Sequence, residues 1–189
     1  MYKRQIGKIA NGIADDMLTT TIMACKCPKL ISPAMNTNMF TNPIVQDNLK
    51  KLEHYGYEII QPDSGYLACG DTGAGKMPSE QVLLNYILRT IAKDKDMAGI
   101  KLTVTAGPTR EKLDPVRFLS NNSTGKMGYA IAKMAMLRGA DVTLISGKVS
   151  LEPVPFVKTV DIVSAEDMYN AVIKSAKAVS YTHLTLPTT

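Results

Sequence analysis

Residues 101–147 read KLTVTAGPTREKLDPVRFLSNNSTGKMGYAIAKMAMLRGADVTLISG, and this stretch decides the fold. KLTVTAG at 101–107 is a β-branched run closed by glycine, which predicts a strand. A long polar loop comes next. From Gly125 to Arg138 the period changes to that of a helix, and Gly139 closes it. Met127, Ile131, Met134 and Leu137 share one stripe, which predicts a core-facing side with methionine as filler. ADVTLISG at 140–147 is a second strand. Strand, helix and strand without a hairpin turn predict a parallel pair with a helical crossover, so the fold class is α/β.

The same alternation extends both ways. Ser164 followed by Asp167 predicts another helix start, with Asp in the place of the usual Glu or Gln of a capping box. Upstream, Ile6 to about Met23 reads as one helix. KLIS at 29–32 is a short buried strand ended by Pro33. Asn42 is an N-cap with Pro43 at the first helical position. Ile44, Val45, Leu49 and Leu52 then lie near one face, and Gly56 is the stop. YEIIQ at 57–61 predicts a strand, and a Gly-rich loop runs from Pro62 to Pro78. Ser79 caps a helix carrying Val82, Leu83, Tyr86, Ile87 and Ile91. The charged AKDKDMAG at 92–99 marks a boundary, after which the strand–helix pattern restarts.

Composition bounds the function. The chain has 189 residues, is 45% hydrophobic and carries a net charge of +5. Its lysines and arginines are scattered among acids, as in KDKD at 93–96, which predicts a solvated surface and no nucleic-acid stripe. No apolar run approaches the roughly 20 residues needed to span a bilayer, and no apolar leader is visible, so a cytoplasmic location is expected. Cys25, Cys27 and Cys69 are an odd set without a disulfide framework or a metal spacing. Cys25 and Cys27 are expected to be packed, and His54 to be a surface helix residue.

Three loops could carry chemistry. GDTGAGK at 70–76 mimics a P-loop, but Met77 stands where a magnesium-binding Ser or Thr is needed and Pro78 where the helix should be running. The alternative is a flexible flap headed by Cys69, whose thiol is mostly protonated at neutral pH and can donate a proton. PAMNTNMF at 33–40 offers Asn36 and Asn38 between Met35 and Met39. That pattern suits a planar or carboxylate-bearing ligand, or else a turn in which the Asn side chains bond the backbone. TAGPTREKLDPVRFLSNNSTGKMG at 105–128 brings a strand end, amides, hydroxyls and Gly125 to a helix N-terminus, which suits phosphate.

These motifs together resemble a known family. ANGIADDMLTTTIMA at 10–24, PAMNTNMF and LACGDTGAGKMPSE at 67–80 are similar, in order, to the flavin-containing cysteine decarboxylases. TAGPTREKLDPVRFLSNNSTGKMGYAIA at 105–132 resembles phosphopantothenate–cysteine ligase. Both in one chain resemble the bifunctional phosphopantothenoylcysteine decarboxylase and phosphopantothenate–cysteine ligase family of coenzyme A biosynthesis. The resemblance implies the C-terminal part of a flavodoxin-like (Rossmann-like) flavoprotein domain, then the N-terminal part of a second Rossmann-like domain. It implies FMN-dependent decarboxylation of 4′-phospho-N-pantothenoylcysteine to 4′-phosphopantetheine. It also implies CTP-dependent ligation, with Mg2+, of 4′-phosphopantothenate with cysteine.

By the same resemblance Cys69 is the proton donor, and Asn36 binds the substrate carboxylate. Ala34 and Met35 lie near the FMN. Asn121 binds the acyl-cytidylate, with Gly107, Ser123 and Gly125 near its phosphate. The partners implied are these small molecules, with no nucleic acid and no membrane, in a trimer-based homo-oligomer. The expected organisation is a non-native leader at 1–5, a decarboxylase part at 6–93, a linker at 94–99, a ligase part at 100–178 and a non-native tail at 179–189. The family's FMN-phosphate loop belongs upstream of Ile6 and its CTP lysine motif downstream of Ala178, so an internal piece, incomplete for both reactions, is expected. Two other readings are a stand-alone cysteine-decarboxylase-type flavoprotein and a non-catalytic binding protein that keeps the fold.

Overall fold

A computed structural model describes residues 2–67, 70, 72–176 and 181–183, with the side chains of residues 2, 3 and 181–183 left aside. The chain divides into two compact units, Met1–Thr90 and Ile91–Thr189.

The second unit is built on residues 101–147 and their continuation. Strands β5 (Lys101–Ala106), β8 (Asp141–Ser146), β9 (Lys158–Asp161) and β10 (Tyr181–His183) form one parallel sheet in the order β10-β5-β8-β9. The register pairs Lys101 with Asp141 and Ala106 with Ser146, so β5 and β8 end at the same sheet edge. Helix α6 (Lys126–Leu137) covers one face, and α7 (Ala165–Ala176) packs against β5 and β8 as well. Leu102, Val104, Val142 and Leu144 alternate onto the apolar face, where Ala132, Ala135 and Met136 meet them. Both Val104 and Leu144 are fully buried. Small residues let α6 approach the sheet: an ideal Cβ on Gly128 would lie 2.6 Å from the Ala106 Cβ.

The first unit places α1 (Tyr2–Ala10), α2 (Met17–Ala24) and α4 (Pro43–His54) around a parallel pair, β1 (Leu30–Ile31) with β2 (Glu58–Ile59). Its core is Ile6, Ile9, Ala10, Leu49, Leu52 and Ile59. Asn42 caps α4 through its Oδ1, which accepts from Ile44 N at 3.0 Å, and Gly56 ends it with a φ of 83°. A one-turn helix, α3 (Thr37–Phe40), comes directly after Asn36. An antiparallel hairpin pairs β3 (Asp63–Tyr66) with β4 (Thr72–Lys76), and α5 (Glu80–Ile91) closes the unit.

The α/β class holds in both units, but several expectations change. The helix expected from Ile6 to Met23 is two helices. The chain turns at Gly12 (φ 69°), and Asp16 starts α2 with a reciprocal cap to Thr19. The Gly-rich loop at 62–78 is a hairpin. Of the predicted stripe, Ile131 and Leu137 pack against the core but Met127 and Met134 are exposed, and the buried residues of α6 are Gly128, Ala132, Ala135 and Met136. Ile44 is exposed on α4, and no residue of α5 is buried. Cys25 and Cys27 are exposed free thiols and not packed, whereas His54 lies at the surface as expected. The Ser164–Asp167 cap forms in both directions, with Asp167 N donating to Ser164 Oγ at 3.1 Å and Ser164 N to Asp167 Oδ2 at 2.9 Å. No described helix is long and apolar enough to cross a membrane.

Candidate functional site

The first candidate site is a cleft of about 390 Å³ in the first unit. One wall is Ala34, Met35 and Asn36, the segment between β1 and α3. The other wall is formed by the β3–β4 hairpin and its exit, with Tyr66, Leu67, Gly75, Lys76 and Met77. The hairpin is tied to the first wall by the Met35 N–H, which donates to the Gly75 carbonyl at 3.0 Å. Contact is close because the hairpin carries glycine where it meets α3. An ideal Cβ on Gly73 would lie 2.5 Å from Thr37 Oγ1, and one on Gly75 would lie 2.1 Å from the Met35 carbonyl oxygen. GDTGAGK therefore runs into an antiparallel strand, which is not the strand–loop–helix path of a P-loop.

Asn36 serves the turn as well as the cleft. Its Oδ1 accepts from Asn38 N at 2.8 Å and caps α3. The cap engages the side-chain oxygen and fixes Asn36 at the wall of the cleft. Next to it, Thr37 Oγ1 is buried and has no hydrogen-bond partner. The structure thus brings Ala34, Met35 and Asn36 together, and adds Lys76, the last residue of GDTGAGK, with Thr37 next to Asn36. Cys69 lies outside the described residues.

The second candidate site is the edge where β5 and β8 end. Gly107 (φ 77°) and Gly125 (φ 76°) come together there, and an ideal Cβ on Gly125 would be 3.3 Å from Gly107 N. Val149 covers both, with its Cγ1 at 2.8 Å and 3.0 Å from the ideal Cβ positions of Gly107 and Gly125. No sequence signal marks Val149, because a lone valine after a strand carries no periodic information. Gly125 opens α6 without a side-chain cap, so no capping side chain bonds the first helical N–H groups. Asn121 Oδ1 accepts from Ser123 N at 3.0 Å, which folds the loop entering the helix. Asn121, Ser123, Gly125 and Gly107 are therefore neighbours along one path.

A small hairpin, β6 (Arg110–Lys112) with β7 (Phe118–Ser120), rises from the same loop. Its tip is fixed by Asp114, whose carboxylate accepts from Arg117 N, from the Arg117 guanidinium and from Val116 N. Those bonds, the Arg117 backbone N–H first, hold the Asp114 carboxyl below the usual carboxylate range. The Arg110 guanidinium lies 4.6 Å from the Phe118 ring centroid. Among the described residues no group of three or more His, Cys, Asp or Glu could hold a metal ion.

Residues 4–92 match the family model described as Flavoprotein, and residues 97–183 the one described as DNA/pantothenate metabolism flavoprotein C-terminal domain. The fold and these matches define an α/β flavoprotein-type chain of pantothenate metabolism. The coenzyme A biosynthesis bifunctional protein CoaBC of Bacillus subtilis (strain 168) is 47% identical over 171 residues, covering 89% of this chain and 42% of that protein. Its counterpart from Escherichia coli (strain K12) is 44% identical over 172 residues, covering 91% and 42%. The chain belongs to this family of coenzyme A biosynthesis bifunctional proteins, and it spans 42% of the length of these two relatives. A crystal structure of a CoaBC C-terminal domain is 47% identical, with a TM-score of 0.49, covering 51% of this chain and 48% of that one.

Proposed function

We propose that this chain carries substrate-binding parts of two coenzyme A biosynthesis reactions. One is the FMN-dependent decarboxylation of 4′-phospho-N-pantothenoylcysteine to 4′-phosphopantetheine. The other is the CTP-dependent joining of 4′-phosphopantothenate to cysteine. The observation that carries the first half is the cleft, where Gly75 ties the β3–β4 hairpin to the segment bearing Asn36. The substrate carboxylate binds at Asn36, whose Oδ1 caps α3 and fixes the residue at the cleft wall. Cys69, which falls between β3 and β4 in the sequence, gives a proton to the enethiol left by loss of carbon dioxide, at the carbon that carried the carboxylate. The docked hairpin excludes water during both events.

The cleft suits FMN on its own chemistry, with apolar walls at Ala34, Met35 and Met77 and the buried, unpartnered Thr37 Oγ1 one residue beyond Asn36 in the chain. Bound there, FMN would take two electrons from the cysteine end so that carbon dioxide can leave, and would return them to the resulting enethiol, so that the overall reaction is redox-neutral. In the second unit, Gly107 and Gly125 pack together beneath Val149 at a helix start that no side chain caps. That helix start suits the phosphate of a nucleotide or acyl-cytidylate, with Asn121 and Ser123 on the loop that enters it. CTP and its Mg2+ belong to this part of the proposal. So do the two-part division near residues 94–99, a cytoplasmic setting for exposed free thiols, and a trimer-based homo-oligomer.

The test is calorimetric titration of the chain, supplemented with FMN, with 4′-phospho-N-pantothenoylcysteine. Binding is expected, and Asn36→Asp should weaken it by on the order of tenfold or more. That variant keeps an acceptor for Asn38 N, so the turn survives while a like charge meets the carboxylate. Failure of the unsubstituted chain to bind, or equal binding by Asn36→Asp, would contradict the assignment.

A further inference from the structure

The β3–β4 hairpin breaks its register at one point. Ser64 pairs with Ala74, but the next pair is Asp63 with Lys76, so Gly75 is an extra residue in β4. A bulge of this kind shifts the alternation of the strand and re-aims the side chain after it. Strict alternation would set Lys76 on the face opposite Gly73. The bulge sets it on the same face.

The glycine contacts agree with that placement. Gly73 faces Thr37, and its cross-strand partner Gly65 has Lys76 Cδ at 3.3 Å and Nζ at 3.8 Å from its ideal Cβ. Gly75 is held in the bulge by its φ of 129° and by the Met35 N–H on its carbonyl. The result is an ammonium brought to the cleft that Asn36 lines. Lys76 is the one charged residue among the described lining residues. Its cross-strand neighbour Asp63 makes no ion pair with it, and no other described residue does.

We infer that Lys76 is the charge-reading residue of this cleft and binds an oxyanion of the ligand seated at Asn36. The inference rests on the decarboxylase reading above and adds to it the selection of an anionic substrate. The oxyanion is either the carboxylate at the cysteine end or the phosphate at the far end. Both offer the same acceptor chemistry to an ammonium.

The experiment titrates the full chain, with FMN present, with 4′-phospho-N-pantothenoylcysteine and with its dephosphorylated form. Lys76→Gln is expected to weaken binding by about tenfold or more, and Lys76→Arg to stay within about threefold. Loss confined to the phosphorylated ligand assigns the phosphate, and equal loss with both assigns the carboxylate. The dependence of affinity on salt should flatten in Lys76→Gln. Unchanged affinity of Lys76→Gln for both ligands overturns the inference and leaves the decarboxylase reading intact. Equal loss in Lys76→Gln and Lys76→Arg also overturns it, because charge is then not what is read. Absence of binding by the unsubstituted chain removes the reading and the inference together.

Discussion

Gly75→Ala should release the β3–β4 hairpin from the Asn36 segment. The backbone at Gly75 has a φ of 129°, a region that costs a residue with a Cβ about 1–3 kcal/mol. The new Cβ would also start 2.1 Å from the Met35 carbonyl oxygen. That obstacle is main chain, so it cannot swing aside as a side-chain tip would. Relief requires the two segments to part, which breaks the Met35 N–H to Gly75 bond and loses about 0.5–1.5 kcal/mol more. The combined cost of about 1.5–4.5 kcal/mol lowers the docked population by roughly tenfold to a thousandfold. Hydrogen exchange at the Met35 amide reads this directly, because its partner is the carbonyl in question. Faster exchange is expected there, with Val104 in the second unit unchanged. Unchanged exchange at Met35 would refute the claim that Gly75 ties the hairpin down.

Three further outcomes rest on local geometry. Gly128→Ala forces a Cβ to within 2.6 Å of the Ala106 Cβ and 2.7 Å of the Thr105 carbonyl, and should lower the stability of the second unit by about 1–3 kcal/mol in denaturant unfolding. A midpoint equal to that of the parent would show that α6 is not packed as closely as described. Asp16 is held at about 2 by the Thr19 N–H first, then by the Lys8 ammonium and the Thr19 hydroxyl. Its folded value is depressed, so its support of α2 is complete above the ordinary 3.8 and is lost as pH falls through about 2. An NMR titration of the Asp16 carboxyl checks this, and a midpoint near 3.8 would contradict it. Asn121→Asp keeps an acceptor for Ser123 N but removes the amide donors and adds a negative charge. It should weaken binding of 4′-phosphopantothenate with CTP by on the order of tenfold in calorimetry, and leave the unfolding midpoint unmoved. Equal losses in stability and binding would make Asn121 a loop residue only.

The elements legible in the sequence are those where local chemistry is decisive. β5 and β8 are β-branched runs buried on a sheet, and Asn42–Pro43 and Ser164–Asp167 carry their own capping bonds, so each is readable without tertiary information. The break between α1 and α2 is not, because the apolar pattern continues across Gly12 and only a reciprocal cap at Asp16 divides it. Met127 and Met134 have helical spacing, but the sheet needs close approach and selects Gly128, Ala132 and Ala135 instead. The hairpin reads as a loop because glycine hides strand propensity. Strand β10 has only three residues, and its place beside β5 comes from the sheet and not from any periodicity of its own. In the candidate sites, Asn36 and the 107–125 path can be found by motif. Lys76 is visible as the last residue of GDTGAGK, but its aim depends on a bulge that only the pairing register discloses.

The most direct test of the account is a map of amide shifts in the 15N-labelled chain on adding each ligand separately. With FMN present, 4′-phospho-N-pantothenoylcysteine should move Met35, Asn36, Gly75 and Lys76 and leave Gly107 and Gly125 unmoved. With CTP present, 4′-phosphopantothenate should do the reverse, moving Gly107, Asn121, Ser123 and Gly125. Shifts confined to one unit for both ligands, or none in either cleft, would contradict the claim that this chain carries two substrate-binding parts.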